Sequence, residues 1–371
     1  MIENQHSLSD GSIGTSRTVH SFHYGVPGGR KVYVQAGLHA SELPGMLVCH
    51  YLRQMLEAEE AHGAMLGEVV IVPVANPIGL DQTVLSYQMG RFDLASGENF
   101  NRRFPDLALT IAKELEGQFV GDVDADVALV RATLQRHLNS MKPIRQADSL
   151  RAKLLAMACD ADIVLDLHCD CESVLHLYAH PQSLDEVMPL AALMGAHATL
   201  YAAEQGNTPF DEVCSSFWVK LQEQIPHARL PLPTVSICIE LRGQLEVSHS
   251  QAQEDAARIV DYMKLQGVIA GQSSVHIPEL IQEATPLAGT EVLYAEAAGV
   301  IVYLVECGQL LHPGDPVVDV VDPVTGVTQR FHAGVKGVLF ARQNRRYAMP
   351  GMDLAYISGS ELSRQGHLLS A

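Results

Sequence analysis

A chain of 371 residues exceeds the usual span of one compact core, so its length predicts two units, one large and one small. Hydrophobic residues make up 47% and charged residues 18%, the composition of a globular protein and not of a disordered one. A net charge of −18 argues against nucleic acid or an anionic membrane as partner, because the phosphate term is repulsive.

The N-terminal "MIENQHSLSDGSIG" is polar and lacks the apolar core of a secretory leader. No apolar run approaches the length of a membrane span. Strands are predicted over 16–24 and 31–37, joined by the turn "GVPGG". The second runs through "VYVQAGLHASELPGM", so a buried strand ends at His39 and a carboxylate, Glu42, follows three residues later. Pro44 opens a helix predicted to about Glu60, with Met46, Leu47, Leu52 and Leu56 at helical spacing. "GEVVIVPVANP" is a continuous apolar run stopped by Asn-Pro, the pattern of a strand buried on both faces. An irregular loop follows, "GLDQTVLSYQMGRFDLASGENFNRRFPD", and then a helical pattern from about Leu107 to Ala158.

"ADIVLDLHCD" is a further buried strand, ending at His168, and "LPTVSICIELRG" another, ending at Glu240. Strands alternating with long helical stretches imply an α/β domain whose sheet is mixed, largely parallel and covered by helices. In such sheets ligands gather at the carboxyl ends of the strands. Three apolar strands each deliver His39, His168 or Glu240 at that end. After about Leu280 helical periodicity is lost, and short apolar runs separated by Gly, Pro and Asp turns predict a smaller all-β unit. The expected division is 1–280 and 281–371. Seven cysteines, an odd number scattered in apolar runs such as "VSICIEL", read as reduced thiols of a cytoplasmic protein. Cys169 and Cys171 of "HCDC" lack a second Cys/His pair at metal-clip spacing.

Two imidazoles and one carboxylate, His39, Glu42 and His168, satisfy a catalytic zinc site that leaves one position open. The competing account makes Glu42 a helix-terminal charge favoured by the helix dipole, with His39 hydrogen-bonded nearby. Glu240 is harder to explain structurally, since an unpaired carboxylate at the end of an apolar strand is costly. Asp166, two residues before His168, lies on the same strand face and is a candidate to orient a ligand imidazole.

The motifs "GLHASELPG", "ENFNRRFPD", "DLH" and "IELRG", in this order, resemble the succinylglutamate desuccinylase/aspartoacylase branch of the zinc carboxypeptidase superfamily. The resemblance covers about residues 30 to 245, and the following β unit is similar to that branch's C-terminal domain. It implies one Zn2+ per chain held by His39, Glu42 and His168. It also implies Glu240 as the general base toward water, Arg91 as the group polarising the scissile carbonyl, and Asn101 with Arg102 as holders of a substrate carboxylate. Arg242 is a weaker substrate contact, and Tyr347 a candidate to reach over the pocket. Where the family commonly has an acid two positions before the "NR" asparagine, this chain has Asn99, which leaves open what orients His39 and brings Asp166 forward for that role.

The expected activity is zinc-dependent hydrolysis of a small N-acyl amino acid, with no nucleic-acid or membrane partner and the oligomeric state, including a homo-oligomer, left open. Two alternatives remain at this level: a carboxypeptidase or amidase acting on short peptides, and a non-catalytic protein that binds zinc or a small molecule. Nickel, cobalt or manganese would also suit the donor set.

Overall fold

A computed structural model describes residues 1–366 and Leu368. Nine strands form one sheet. Its centre is four parallel strands in the order Glu68–Val72, Lys31–Ala36, Ile163–Asp170, Val235–Gly243. Thr18–Gly25 adds antiparallel on one side, followed by Ile2–Ser7. His176–Ala179 adds antiparallel on the other, followed in parallel by Ala198–Tyr201 and Thr285–Pro286. The mixed, largely parallel, helix-covered sheet expected from the sequence is thus present. The two strands flanking "GVPGG" are not partners, however, because Glu68–Val72 inserts between them.

Alternation along the central strands sends side chains to two apolar layers. Ile163, Leu165 and Leu167 pack with Val32, Val34, Ile237 and Ile239 against one layer, where the helix Pro44–Ala61 contributes Leu52 and Leu56. Val164, Tyr33 and Val70 face the other, with Phe210 and Trp218 of the helix Phe210–Gln224. Each such side chain contributes roughly 1.5–3 kcal/mol by leaving water. The predicted helical stretch of 107–158 is three helices, Ala108–Leu115, Val123–Ser140 and Gln146–Ala158.

Beyond Thr285–Pro286 every strand is short and antiparallel. One sheet holds Glu291–Tyr294, Asp353–Ile357, Gly337–Arg342 and Leu310–Leu311, and Glu172–Ser173 from the large half pairs onto it. A second holds Thr328–His332, Pro316–Val321, Gly299–Tyr303 and Tyr347–Ala348. A separate apolar cluster fills the space between these strands. A smaller cluster joins them to the large sheet, with Phe340 and Leu287 against Tyr178, Leu200 and Cys238. Among the described residues no helix is long and apolar enough to cross a membrane.

Candidate active site

The chain leaves the Lys31–Ala36 strand through Gly37, whose φ of +71° is one that other residues adopt only with strain. That turn carries His39 and Glu42 over the sheet edge just before the helix begins at Pro44, and the Glu42 amide donates to the His39 carbonyl (2.9 Å). Glu42 does not cap the helix. Leu43 holds the cap position, without a side-chain bond. The Glu42 carboxylate points instead at the two imidazoles: Oε1 lies 3.1 Å from His39 Nδ1 and Oε2 lies 2.9 Å from His168 Nδ1. Oε2 also accepts from the Cys169 amide at 3.1 Å.

The opposite edge of each imidazole is fixed. His39 Nε2 lies 2.8 Å from Asn99 Oδ1, an acceptor that also receives the Asn101 amide at 2.9 Å. His168 Nε2 lies 3.0 Å from Asp166 Oδ2. Asp166 Oδ1 in turn accepts from Gln35, whose carbonyl accepts from the Tyr33 hydroxyl, both at 2.9 Å. Asn99 is held from behind by Arg151, which donates to its carbonyl at 3.1 Å. Asn99 therefore orients His39, and Asp166 lies against the other histidine, His168, as an ion-pair neighbour; the expectation that Asp166 serves His39 is corrected by this geometry.

These bonds settle which nitrogen carries the proton on His39. Burial, followed by the nearby Arg91 guanidinium, pushes its pKa down to about 4, so the ring is neutral and its single proton faces Asn99 Oδ1. The Nδ1 lone pair then faces a carboxylate oxygen, acceptor against acceptor, with the Arg91 guanidinium 3.3 Å from both. Burial opposes protonation of His168, but Asp166 and Glu42 outweigh it and hold its pKa well above the ordinary range. Burial likewise opposes ionisation of Glu42, yet the two imidazoles hold its pKa below the carboxylate range. Donor atoms of His39, Glu42 and His168 all lie within 4.8 Å of one another, and the three side chains are buried. A cation among them resolves the facing lone pairs, and two imidazoles with one carboxylate is a donor set zinc accepts. The residues fit the metal. Among the described residues neither Cys169 nor Cys171 of "HCDC" belongs to such a group.

Glu240 sits directly across from His168 in the parallel register of their strands. Its Oε2 is buried without a hydrogen-bond partner, and burial raises its pKa to about 8. Arg91 arrives on the loop after Gly90, which packs so closely that a side chain there would strike the Ser41 amide. The Ala40 amide donates to the Gly90 carbonyl at 2.9 Å, and Arg91 Nη1 then lies 3.3 Å from both Glu42 Oε1 and His39 Nδ1. Asn101 accepts from the Phe210 amide at 2.8 Å and brings its Nδ2 to 3.4 Å from His168 Nε2. Arg102 donates to the Asn101 carbonyl at 2.7 Å and is largely buried.

His39, Arg91, Asn101, Arg102, His168 and Glu240 all line one cavity of about 380 Å³. Arg242 does not. The Val235–Gly243 strand is irregular after Glu240, and Arg242, at φ +69°, pairs through both nitrogens with Asp255 at 2.8 and 2.9 Å. The expectation that it contacts substrate is unsupported by this geometry. Tyr347 is 60% exposed and is not among the residues lining the cavity. The C-terminal strands instead supply Tyr294, Phe340, Asp353 and Tyr356, which sequence reasoning missed. No local pattern marks them, because their place depends on how two separate sets of strands pack.

A family model described as the succinylglutamate desuccinylase/aspartoacylase catalytic domain matches residues 28–122. Among solved structures, a succinylglutamate desuccinylase/aspartoacylase family protein from Shewanella amazonensis superposes with a TM-score of 0.84 at 26% identity, covering 96% of this chain and 98% of that one. Another, from Shewanella frigidimarina, gives 0.83 at 26% identity over 96% and 97%. The ectoine utilization protein EutE (DoeB) from Ruegeria pomeroyi, in a product-bound structure, shares the fold at 0.66 and 14% identity over 96% and 93%. No curated protein matches the chain. The resemblance carried by the four motifs is thereby borne out: residues 28–122 match the succinylglutamate desuccinylase/aspartoacylase catalytic domain, and over its length the chain is similar to solved proteins of that family.

Proposed function

We propose that this protein is a zinc-dependent amidohydrolase that removes the acyl group from a small N-acyl amino acid in the cytoplasm. The observation that carries the reading is the buried trio of His39, Glu42 and His168, whose donor atoms converge within 4.8 Å, set beside a Glu240 carboxylate whose Oε2 has no hydrogen-bond partner. A divalent ion held by the trio would supply Lewis acidity, polarising an amide carbonyl and acidifying water.

The chain's own residues do the rest. Glu240, which lines the cavity with its Oε2 unpartnered, takes a proton from the attacking water and returns it to the leaving amine. Its raised pKa suits a group that must hold the proton between those two events. Arg91, beside Glu42, stabilises the oxyanion as it develops. Arg102 offers a guanidinium for the substrate carboxylate, with Asn101 beside it. In this reading residues 1–280 form the catalytic unit, and 281–371 narrow access to it. Cavity walls drawn from both favour a small substrate over a peptide. Seven free cysteines accord with a reducing compartment.

The test is a hydrolysis screen of N-acetyl and N-succinyl amino acids with chelated protein and with added zinc. Turnover that appears only with the metal is expected. A protein that takes up zinc stoichiometrically and cleaves nothing in the panel would sink the reading.

A further inference from the structure

Three carboxylates that line the cavity, Asp170, Asp211 and Asp353, have no task in the reaction just described, and Asp353 is the one carried by the C-terminal strands. Asp353 begins the strand Asp353–Ile357 and lines the same cavity as Glu240 and Arg102. It is held in place from one side only. Gln343 Nε2 donates to Oδ2 at 2.9 Å and the Tyr356 hydroxyl donates to the same oxygen. Burial, followed by Asp353 itself, pushes the Tyr356 phenol up, so that hydroxyl keeps its proton and remains a donor. Oδ1 has no hydrogen-bond partner among the described residues.

Of the other acids in this region, Asp319 and Glu172 are matched to arginines, and Asp170 accepts from the Cys171 amide at 2.8 Å. Asp319 pairs bidentately with Arg330 at 2.8 Å, and Glu172 receives Arg342 at 2.8 Å and Arg346 at 2.6 Å. Asp353 makes no ion pair among the described residues. Arg364, which also lines the cavity, donates to the Leu368 carbonyl at 2.6 Å and not to Asp353. Around Asp353 the lining is aromatic: Tyr294, Phe340 and Tyr356, with the last two rings 6.1 Å apart. A fixed carboxylate with one open oxygen among aromatic faces is the environment that attracts an ammonium, through charge pairing and through the ring quadrupoles. The same wall repels a second carboxylate, and the low-dielectric surroundings strengthen that repulsion.

Resting on the deacylase reading, we infer that the substrate is a mono-N-acylated diamino acid, and that Asp353 selects it by binding the amino group that remains free. The substrate carboxylate goes to Arg102, its amide lies beside Glu240, and its side chain reaches the wall built by the C-terminal strands. Asp353 is a specificity residue and takes no part in the proton transfers.

The experiment compares N-acetylornithine, with an ammonium tail, against N-acetylnorleucine, of similar length and neutral, and N-acetylglutamate. With zinc-loaded protein, kcat/KM for the ammonium substrate should exceed that for the neutral one roughly tenfold or more, with the anionic one lowest. In Asp353→Asn, which keeps an acceptor for Tyr356, the ammonium-to-neutral ratio should fall to within about threefold. A merely structural role would lower both rates and leave the ratio alone, which would overturn the inference. Calorimetry of unsubstituted protein with free ornithine and free norleucine needs no variant, and should give tighter binding of ornithine. Equal binding, or a preference for N-acetylglutamate, overturns the inference while leaving the deacylase reading intact. No turnover of any member of the panel, with zinc bound, removes both.

Discussion

The carboxyl end of the parallel strands and the wall of C-terminal strands face the same cavity but are built differently. At the strand ends the two imidazoles are buried and backed by further polar side chains. Tyr33, Gln35 and Asp166 stand behind His168, and Arg151 and Asn99 stand behind His39. On the wall, Asp353 has two neighbouring donors and an open oxygen, and Asp319 and Glu172 are matched in pairs that reach the surface. A buried network can hold donor atoms in place with little motion, which chemistry requires. It also makes each member costly to change. A partly solvated wall tolerates change, so the selection of one substrate over another can reside there while the reaction stays fixed.

The sharpest way to break this division is at Glu240. Glu240→Gln keeps the shape and removes the base, so kcat should fall by about 10²–10⁴-fold. Zinc content should be unchanged, since Glu240 lies outside the His39, Glu42 and His168 group. Metal analysis with steady-state kinetics checks both, and undiminished turnover would refute the assigned role.

Next in size is what the buried end costs the fold. Burial, followed by the nearby Asp166, pushes the Asp211 carboxyl up to about 6, above the ordinary carboxyl value of about 3.9. The folded chain therefore holds this proton more tightly than the unfolded chain. Stability attributable to Asp211 is greatest below pH 4, declines as pH rises to 6, and stays low above it. Two units correspond to at most about 3 kcal/mol. Asp211→Asn keeps an acceptor for Gln205 and should stabilise metal-free protein toward that limit at pH 8, with little gain at pH 3.5. Urea unfolding at the two pH values decides it, and equal effects would show that the carboxyl titrates normally.

The braces themselves come third. Asp166→Asn and Asn99→Ala each remove a contact to a ligand imidazole, and such changes weaken metal binding about 10–100-fold. Asp166 should be the larger, because a carboxylate raises the basicity of His168 more than the Asn99 carbonyl raises that of His39. Competition with a chelator of known affinity ranks them, and an inverted order would place the tighter brace at Asn99.

How far these roles could be read from sequence follows the same division. His39, His168 and Glu240 were legible because each interrupts or ends an apolar run, and parallel strands bring their carboxyl ends together. Asn99 was not, because a loop carries no period and its bond to His39 spans 60 residues. Arg242, a weak expectation from the start, follows Glu240 where the strand departs from register, and its nitrogens are taken up by Asp255. The strand Ile2–Ser7 was missed since it is solvated on both faces, so no apolar alternation marks it. Asp353 and Tyr356 were invisible for another reason. Their strand reads only as short and apolar, and nothing in it records that Phe340 and Leu287 dock on Tyr178 and Leu200.

The smallest effect separates two tyrosines of the C-terminal strands. Tyr356 lines the cavity and donates to Asp353, whereas Tyr347 is mostly exposed on a two-residue strand of the other sheet. Tyr356→Phe keeps the ring and removes the hydroxyl, leaving Gln343 as the remaining brace on Asp353. A net hydrogen bond is worth about 0.5–1.5 kcal/mol, so the KM for a substrate that reaches this wall should rise about two- to tenfold, with kcat little altered. Tyr347→Phe should change neither constant beyond twofold, because surface changes of this kind stay within about 0.5 kcal/mol. Steady-state kinetics of the two variants side by side is the measurement. A KM effect confined to Tyr356 ties the wall to substrate binding. A kcat effect from the same variant would mean that the wall also shapes the reaction, and the division between the two regions would have to be redrawn.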